Sequence, residues 1–204
     1  MAVKIEQKNS KEIIALNTFE AVRLRPTMYI GQISPIEEKL PLIIDGVITN
    51  VEKSWSAGFM HLIVEILENA LDEAKRCKGK MKNIHVEINL ATNEVTVTDE
   101  GTGFHNAAKK HPKTKKNVVR TALEELHAGS NFTDTSTNLL GTHGVGSAVV
   151  NILSEKFVVE TVNKTHFVRI AWENFKVVEE TIRKKESKDK LGTKISFIPS
   201  KEIS

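Results

Sequence analysis

Apolar residues recur along this chain with two periods, helical and alternating, and the order in which the periods change divides it into elements. From His61 to Ala74, HLIVEILENALDEA, the spacing is helical. At about 100° per residue, His61, Glu65, Glu68, Asn69 and Asp72 share one stripe, while Ile63, Val64, Leu67, Ala70, Leu71 and Ala74 share the opposite side. A water-facing amphipathic helix and a buried helix with a polar seam both fit that pattern. Upstream, Ile13, Ile14, Leu16, Phe19 and Val22 predict a helix opening after Ser10 and ending near Arg25, because Pro26 restricts its predecessor. Between the two, LPLII (40–44) and VITNV (47–51) flank Asp45-Gly46, a dipeptide suited to the positive φ angles of a two-residue turn. This predicts a β-hairpin inserted ahead of the main helix.

After Gly79 the period becomes two. NIHVEINL (83–90) and EVTVTD (94–99) read as antiparallel strands with one buried face. The second runs into Asp99-Glu100-Gly101-Thr102-Gly103, where the glycines allow a tight turn and a close approach to the backbone. A basic loop (105–117) and a helical stretch (118–128) follow. A Gly/Asn/Ser/Thr-rich loop then ends in Gly141-Thr142-His143-Gly144-Val145-Gly146, which opens another helix, SAVVNILS. FVVETVN, HFVRIAWE, FKVVEETIR and TKISFIPS read as four more strands, and the Lys-rich 183–190 stretch as a solvated turn.

Composition narrows the class. A chain of 204 residues, 40% apolar and 27% charged, suits one soluble domain, and no apolar run reaches the length of a membrane span. The N-terminus lacks a secretory pattern and Cys77 stands alone, so disulfides are excluded and a reducing cytoplasm is expected. A net charge of +3 does not by itself identify nucleic acid as a direct partner. Lys109, Lys110, Lys113, Lys115 and Lys116 crowd one loop, read here as a solvated one.

Glycines leading into a helix can bring backbone N–H groups to an anion, so GTHGVG points to phosphate, although glycine-rich turns are common. It is neither a Walker A loop nor a dinucleotide-binding fingerprint. Three elements in order carry more: a helix with Glu-x-x-x-Asn, a strand ending Asp-x-Gly-x-Gly, and a loop ending Gly-x-x-Gly-x-Gly. Together they resemble the GHKL ATPases, which include type II DNA topoisomerases, heat-shock chaperones and sensor histidine kinases. RLRPTMYIG (23–31), LHAG (126–129), THGVGSAVVNILS (142–154) and GTKISFIPS (192–200) resemble the gyrase B and topoisomerase IV ATPase subunits in particular.

That resemblance implies an α+β fold: a two-layer sandwich of a mixed, largely antiparallel β-sheet with helices on one face. One ATP-binding domain would fill 1–204, with an N-terminal arm (1–12), an inserted hairpin (34–56) and an ATP lid (129–146). It implies ATP and Mg²⁺ as ligands. By position, Glu65 would be the general base, held by His61, and Asn69 would offer its oxygen to Mg²⁺. Asp99 would accept from adenine, with Gly101 and Gly103 at the base and Thr193 assisting. Gly141, His143, Gly144, Val145 and Gly146 would wrap the triphosphate. Asp72 and Glu73 would support the site, and Glu68 has no assigned role.

Departures accompany the match. Thr102 stands where bacterial gyrase has an Arg, so an ion pair with Glu73 is not expected. Asn131 replaces a lid Lys, and Asn163 replaces an Arg that resembles the aminocoumarin anchor. The hairpin resembles eukaryotic and phage-type enzymes, hence a phage-like or divergent subunit in a bacterial cell or an infected host. The family continues into a transducer that supplies a γ-phosphate lysine, which this chain does not contain, so ATP binding with slow or undetectable turnover is expected. The resemblance further implies DNA as a partner of the full enzyme rather than of this domain, together with a DNA-cleaving subunit. A homodimer closed by ATP is implied for the full-length protein. Ile13 matches an apolar arm residue and Lys8 replaces the arm tyrosine, so the fragment itself is expected to be a monomer. The alternative reading is a nucleotide-gated interaction module without turnover.

Overall fold

The computed structural model describes residues 17–126 and 146–203. Among the described residues, five helices and eight strands follow one another in the order α1(Thr18–Leu24), α2(Thr27–Ile30), β1(Ile36–Ile44), β2(Val47–Trp55), α3(Ala57–Arg76), β3(Ile84–Asn89), β4(Glu94–Asp99), α4(Val118–Glu124), α5(Gly146–Ile152), β5(Ser154–Val162), β6(His166–Glu173), β7(Lys176–Lys184) and β8(Gly192–Pro199). Six strands form one sheet in the order β3-β4-β8-β5-β6-β7, in which every pairing is antiparallel. The last strand in sequence thus sits in the middle and places Thr193 opposite Asp99.

Helix α1 starts at Thr18, because Asn17 is extended and caps it: its side chain accepts from Glu20 N–H while Glu20 accepts from the Asn17 N–H. The expected cap, Ser10, and residues Ile13, Ile14 and Leu16 lie outside the described residues, as do the 1–12 arm and Lys8. The other end falls at Arg25, where Pro26 was expected to stop it. Arg23 Nε donates to the carbonyl of Ile152 at 2.8 Å, fastening α1 to the C-terminal end of α5.

The hairpin forms as Asp45-Gly46 predicts, with φ of 50° and 81° at those positions and strands of nine residues each. It is a separate two-stranded sheet.

Helix α3 carries the core. Leu62, Ile63, Ile66 and Ala70 are buried against a sheet face supplied by Val95, Val97, Phe157, Val159, Trp172, Ile195 and Phe197. The expected apolar side is therefore displaced: Val64 and Leu71 are 41% and 37% exposed. The physical reason is angular. Leu62, Ile66, Ala70 and Ile63 fall at about 100° to 200° from His61, adjoining the polar stripe rather than opposing it, so the seam lies at the margin of the buried sector. Strand β4 alternates buried and half-buried residues as expected. Its neighbour β3 is an edge strand, with Val86 and Ile88 more than 40% exposed.

Two stretches read as solvated are organised. Arg183 holds Asp189 through two hydrogen bonds of 2.6 and 2.9 Å in the 183–190 turn. Lys116 is half-buried and donates to both Glu124 and Glu125.

Candidate active site

The site assembles where α3 passes the end of β4 and the start of α5. On α3, His61 Nε2 lies 3.0 Å from Glu65 Oε1, one turn apart on the helix surface. The Glu65 side chain is 25% exposed, enough to reach a ligand while remaining shielded. Behind it, Gly146 packs so closely that a Cβ there would land on Glu65 Oε2; glycine at the start of α5 lets this carboxylate keep its position, and a side chain there would push it aside. Asn69 is exposed and donates through Nδ2 to the Glu65 carbonyl at 2.7 Å and to Ser147 Oγ at 2.9 Å. With Nδ2 engaged twice, Oδ1 is the amide atom that has acceptor capacity to offer a ligand.

Asp99, the last residue of β4, is only 7% exposed. Burial pushes its carboxyl up to about 6; N–H donation from Gly101 opposes this, the nearby Glu73 charge adds to it, and N–H donation from Thr193 opposes it. Both donors meet Oδ1, at 2.8 and 3.3 Å. Thr193 Oγ1 is 3.1 Å from Thr161 Oγ1, which in turn accepts from Phe104 N–H at 2.9 Å, so three segments are stitched around the carboxylate. Gly103, at φ 71°, and Gly192, at φ 134°, have no room for a Cβ: one would strike the Val162 carbonyl and the other the Asp99 carbonyl. These are backbone obstacles, which cannot rotate away.

No ion pair with Glu73 was expected at Thr102, and hydrogen bonds take its place. The Thr102 N–H and hydroxyl both donate to Glu73 Oε1, at 2.8 and 2.7 Å. Asn163 donates to the Phe104 carbonyl at 2.9 Å and accepts from Thr165 and His166, so it braces the turn beside Gly103. Asp72 is buried and pairs with Lys75. Glu68 stays half-buried near the seam.

The structure therefore brings His61, Glu65, Asn69 and Gly146 together along the middle of α3, and Asp99, Gly101, Gly103 and Thr193 around the end of β4. Gly141, His143, Gly144 and Val145 lie outside the described residues, as does Asn131. Four participants escaped sequence reasoning: Ser147, Thr161, Gly192 and the Thr102 side chain as a donor. Gly192 alone carried a signal, as the glycine that opens the stretch GTKISFIPS. Among the described residues no cluster of three or more His, Cys, Asp or Glu could hold a metal, and no helix is long and apolar enough to cross a membrane.

A largely antiparallel sheet with helices, a Glu-x-x-x-Asn helix and an Asp-x-Gly-x-Gly strand end together define a GHKL-type ATPase. The model for histidine kinase-, DNA gyrase B- and HSP90-like ATPases matches residues 56–203, and the chain belongs to that family. It is 38% identical over 199 residues to the type 2 topoisomerase B polypeptide of Aquifex aeolicus, covering 97% of this chain and 22% of that protein. The chain thus spans less than a quarter of that relative's length. The ATPase region of Saccharomyces cerevisiae topoisomerase II is similar at a TM-score of 0.80 and 25% identity, covering 91% of this chain and 50% of that one. The 43K ATPase domain of Thermus thermophilus gyrase B, solved with an aminocoumarin, is similar at 0.64 and 31%, covering 91% and 40%.

Proposed function

We propose that this chain is the ATP-hydrolysing part of a cytoplasmic type II DNA topoisomerase subunit, in which nucleotide binding closes a protein gate for strand passage. The observation that carries it is the Glu65 carboxylate, oriented by His61 at 3.0 Å and backed by Gly146, with the Asn69 amide one turn further along α3. In this reading Glu65 accepts the proton of the attacking water, and His61 keeps the carboxylate aimed. Asp99 receives the exocyclic amino group of adenine, and Gly101 and Gly103, whose missing Cβ atoms let the turn close against Glu73 and Val162, set the backbone beside the base. The residues fit Mg²⁺: Asn69 Oδ1 would hold it through one oxygen, with substrate phosphates and water as the remaining ligands. The metal, when bound, offsets phosphate charge. Gly141, His143, Gly144, Val145 and Gly146 wrap the triphosphate. The full-length subunit pairs with a second copy and with a DNA-cleaving subunit.

The test is Glu65→Gln, which keeps shape and removes the base. With labelled ATP and protein in excess, hydrolysis should fall at least about 10²-fold while ATP affinity stays within threefold of the parent. Unchanged hydrolysis would show that Glu65 is not the base and would favour a nucleotide-gated module.

A further inference from the structure

The loop between β4 and α4 separates charge more sharply than any other part of the described chain. From Gly101 to Leu123 there is no Asp or Glu, whereas Lys109, Lys110, Lys113, Lys115, Lys116 and Arg120 all fall there. The acids immediately beyond are already engaged. Buried Glu124 accepts from Lys116, Arg120 and Trp172 Nε1 at 2.6 to 2.9 Å, and Glu125 accepts from Lys116. Lys109, Lys110, Lys113 and Lys115 are exposed and form no ion pair among the described residues.

The loop that presents them is built rather than loose. Lys110 and Asn117 form an antiparallel bridge, His111 N–H donates to the Lys116 carbonyl at 2.7 Å, and Lys115 N–H donates back to the His111 carbonyl at 2.9 Å. Thr114 and Thr121 hydroxyls meet at 2.6 Å. Buried Asn117 caps α4 and donates to the Ala107 carbonyl at 2.7 Å. Four ammonium groups without acidic partners on a braced turn repel one another and concentrate positive charge, which a polyanion would neutralise. Such a fixed arrangement loses little side-chain and loop entropy on docking.

We propose that this turn is a phosphate-backbone contact for duplex DNA, made by this domain itself through Lys109, Lys110, Lys113 and Lys115. The inference rests on the topoisomerase reading for the identity of the polyanion. It differs from that reading in placing a DNA contact on the nucleotide-binding domain. Duplex DNA carries one charge per about 1.7 Å of axis, so a short segment saturates four lysines. Point-charge ammonium groups without base-reading side chains specify no sequence.

The probe is a fluorescent 20-base-pair duplex of arbitrary sequence, titrated with the whole chain by anisotropy over about 20 to 200 mM salt. Four contacts give a slope of log K against log salt near −3.6, on the order of a hundredfold loss between 50 and 200 mM. The variant K109Q/K110Q/K113Q/K115Q should bind at least tenfold more weakly at the low-salt end with a slope near zero. The matched variant K78Q/K80Q/K82Q/K184Q, with the same charge change at exposed positions elsewhere, should bind like the parent. Equal weakening of both variants, no duplex binding by the parent, or capture of a polyglutamate peptide in place of the duplex overturns the proposal. The same variants are titrated with an ATP analogue. Loss of DNA binding with nucleotide binding intact bears on the loop alone, whereas absence of nucleotide binding in the parent refutes the functional reading beneath it.

Discussion

Asp99 is held in the fold at an energetic cost, and Asp99→Asn should reveal its size. Burial raises its carboxyl from an ordinary 3.8 to about 6. At 1.36 kcal/mol per pH unit, ionising it in the folded rather than the unfolded chain costs about 3 kcal/mol. The sign follows from a raised folded pKa: the parent is relatively most stable below pH 3.8, and that advantage is lost as pH rises through about 6. Asn accepts the same Gly101 and Thr193 N–H groups and carries no charge, so its stability does not follow this curve. Between pH 4.5 and 7.5 the stability difference, Asn variant minus parent, should grow by about 2 kcal/mol in the variant's favour. For a chain of this size that is a widening of roughly 4 to 8 °C in melting temperature. The assay is thermal unfolding of both proteins without nucleotide across that range. Nucleotide binding should move the other way, weakened at least tenfold by loss of a charge-assisted acceptor. A melting difference that stays flat between pH 4.5 and 7.5, or widens in the parent's favour, would refute the reasoning.

Gly103→Ala should destabilise the chain by at least about 2 kcal/mol in urea, because φ is 71° and the new Cβ meets the Val162 carbonyl; a loss under 0.5 kcal/mol would contradict this geometry. Aminocoumarins should bind the parent more weakly than about 1 μM by calorimetry, since Thr102 and Asn163 supply no cationic donor, and Thr102→Arg should tighten binding about tenfold by offering one beside Glu73. Nanomolar binding by the parent would exclude that explanation.

Elements whose cause is local could be read from the chain. Asp45-Gly46 makes its hairpin through the φ preferences of two residues, and His61 and Glu65 meet because a helix brings i and i+4 together. Elements whose cause is tertiary could not. Helix α3 has apolar residues over more than half its circumference, so period alone could not choose the face; β4 and β8 choose it, and Val64 and Leu71 are left half-exposed. Thr102 looked like a lost arginine because sequence comparison registers charge, whereas its N–H and hydroxyl satisfy the same Glu73 oxygen. Ser147 and Thr161 lie 78 and 57 residues from the groups they bond, Asn69 and Phe104, so nothing near them in the chain marks them. Lys116 was read with its neighbours as solvated, but Glu124 and Glu125 draw it inward and separate it from the four that remain exposed.

The central claim, that the polar seam of α3 and the end of β4 form one nucleotide pocket, is tested most directly by calorimetric titration with a non-hydrolysable ATP analogue, with and without Mg²⁺, in the parent and in Asn69→Ala. The account predicts saturable one-to-one binding that Mg²⁺ strengthens in the parent but not in the variant. No binding by the parent under either condition would contradict it.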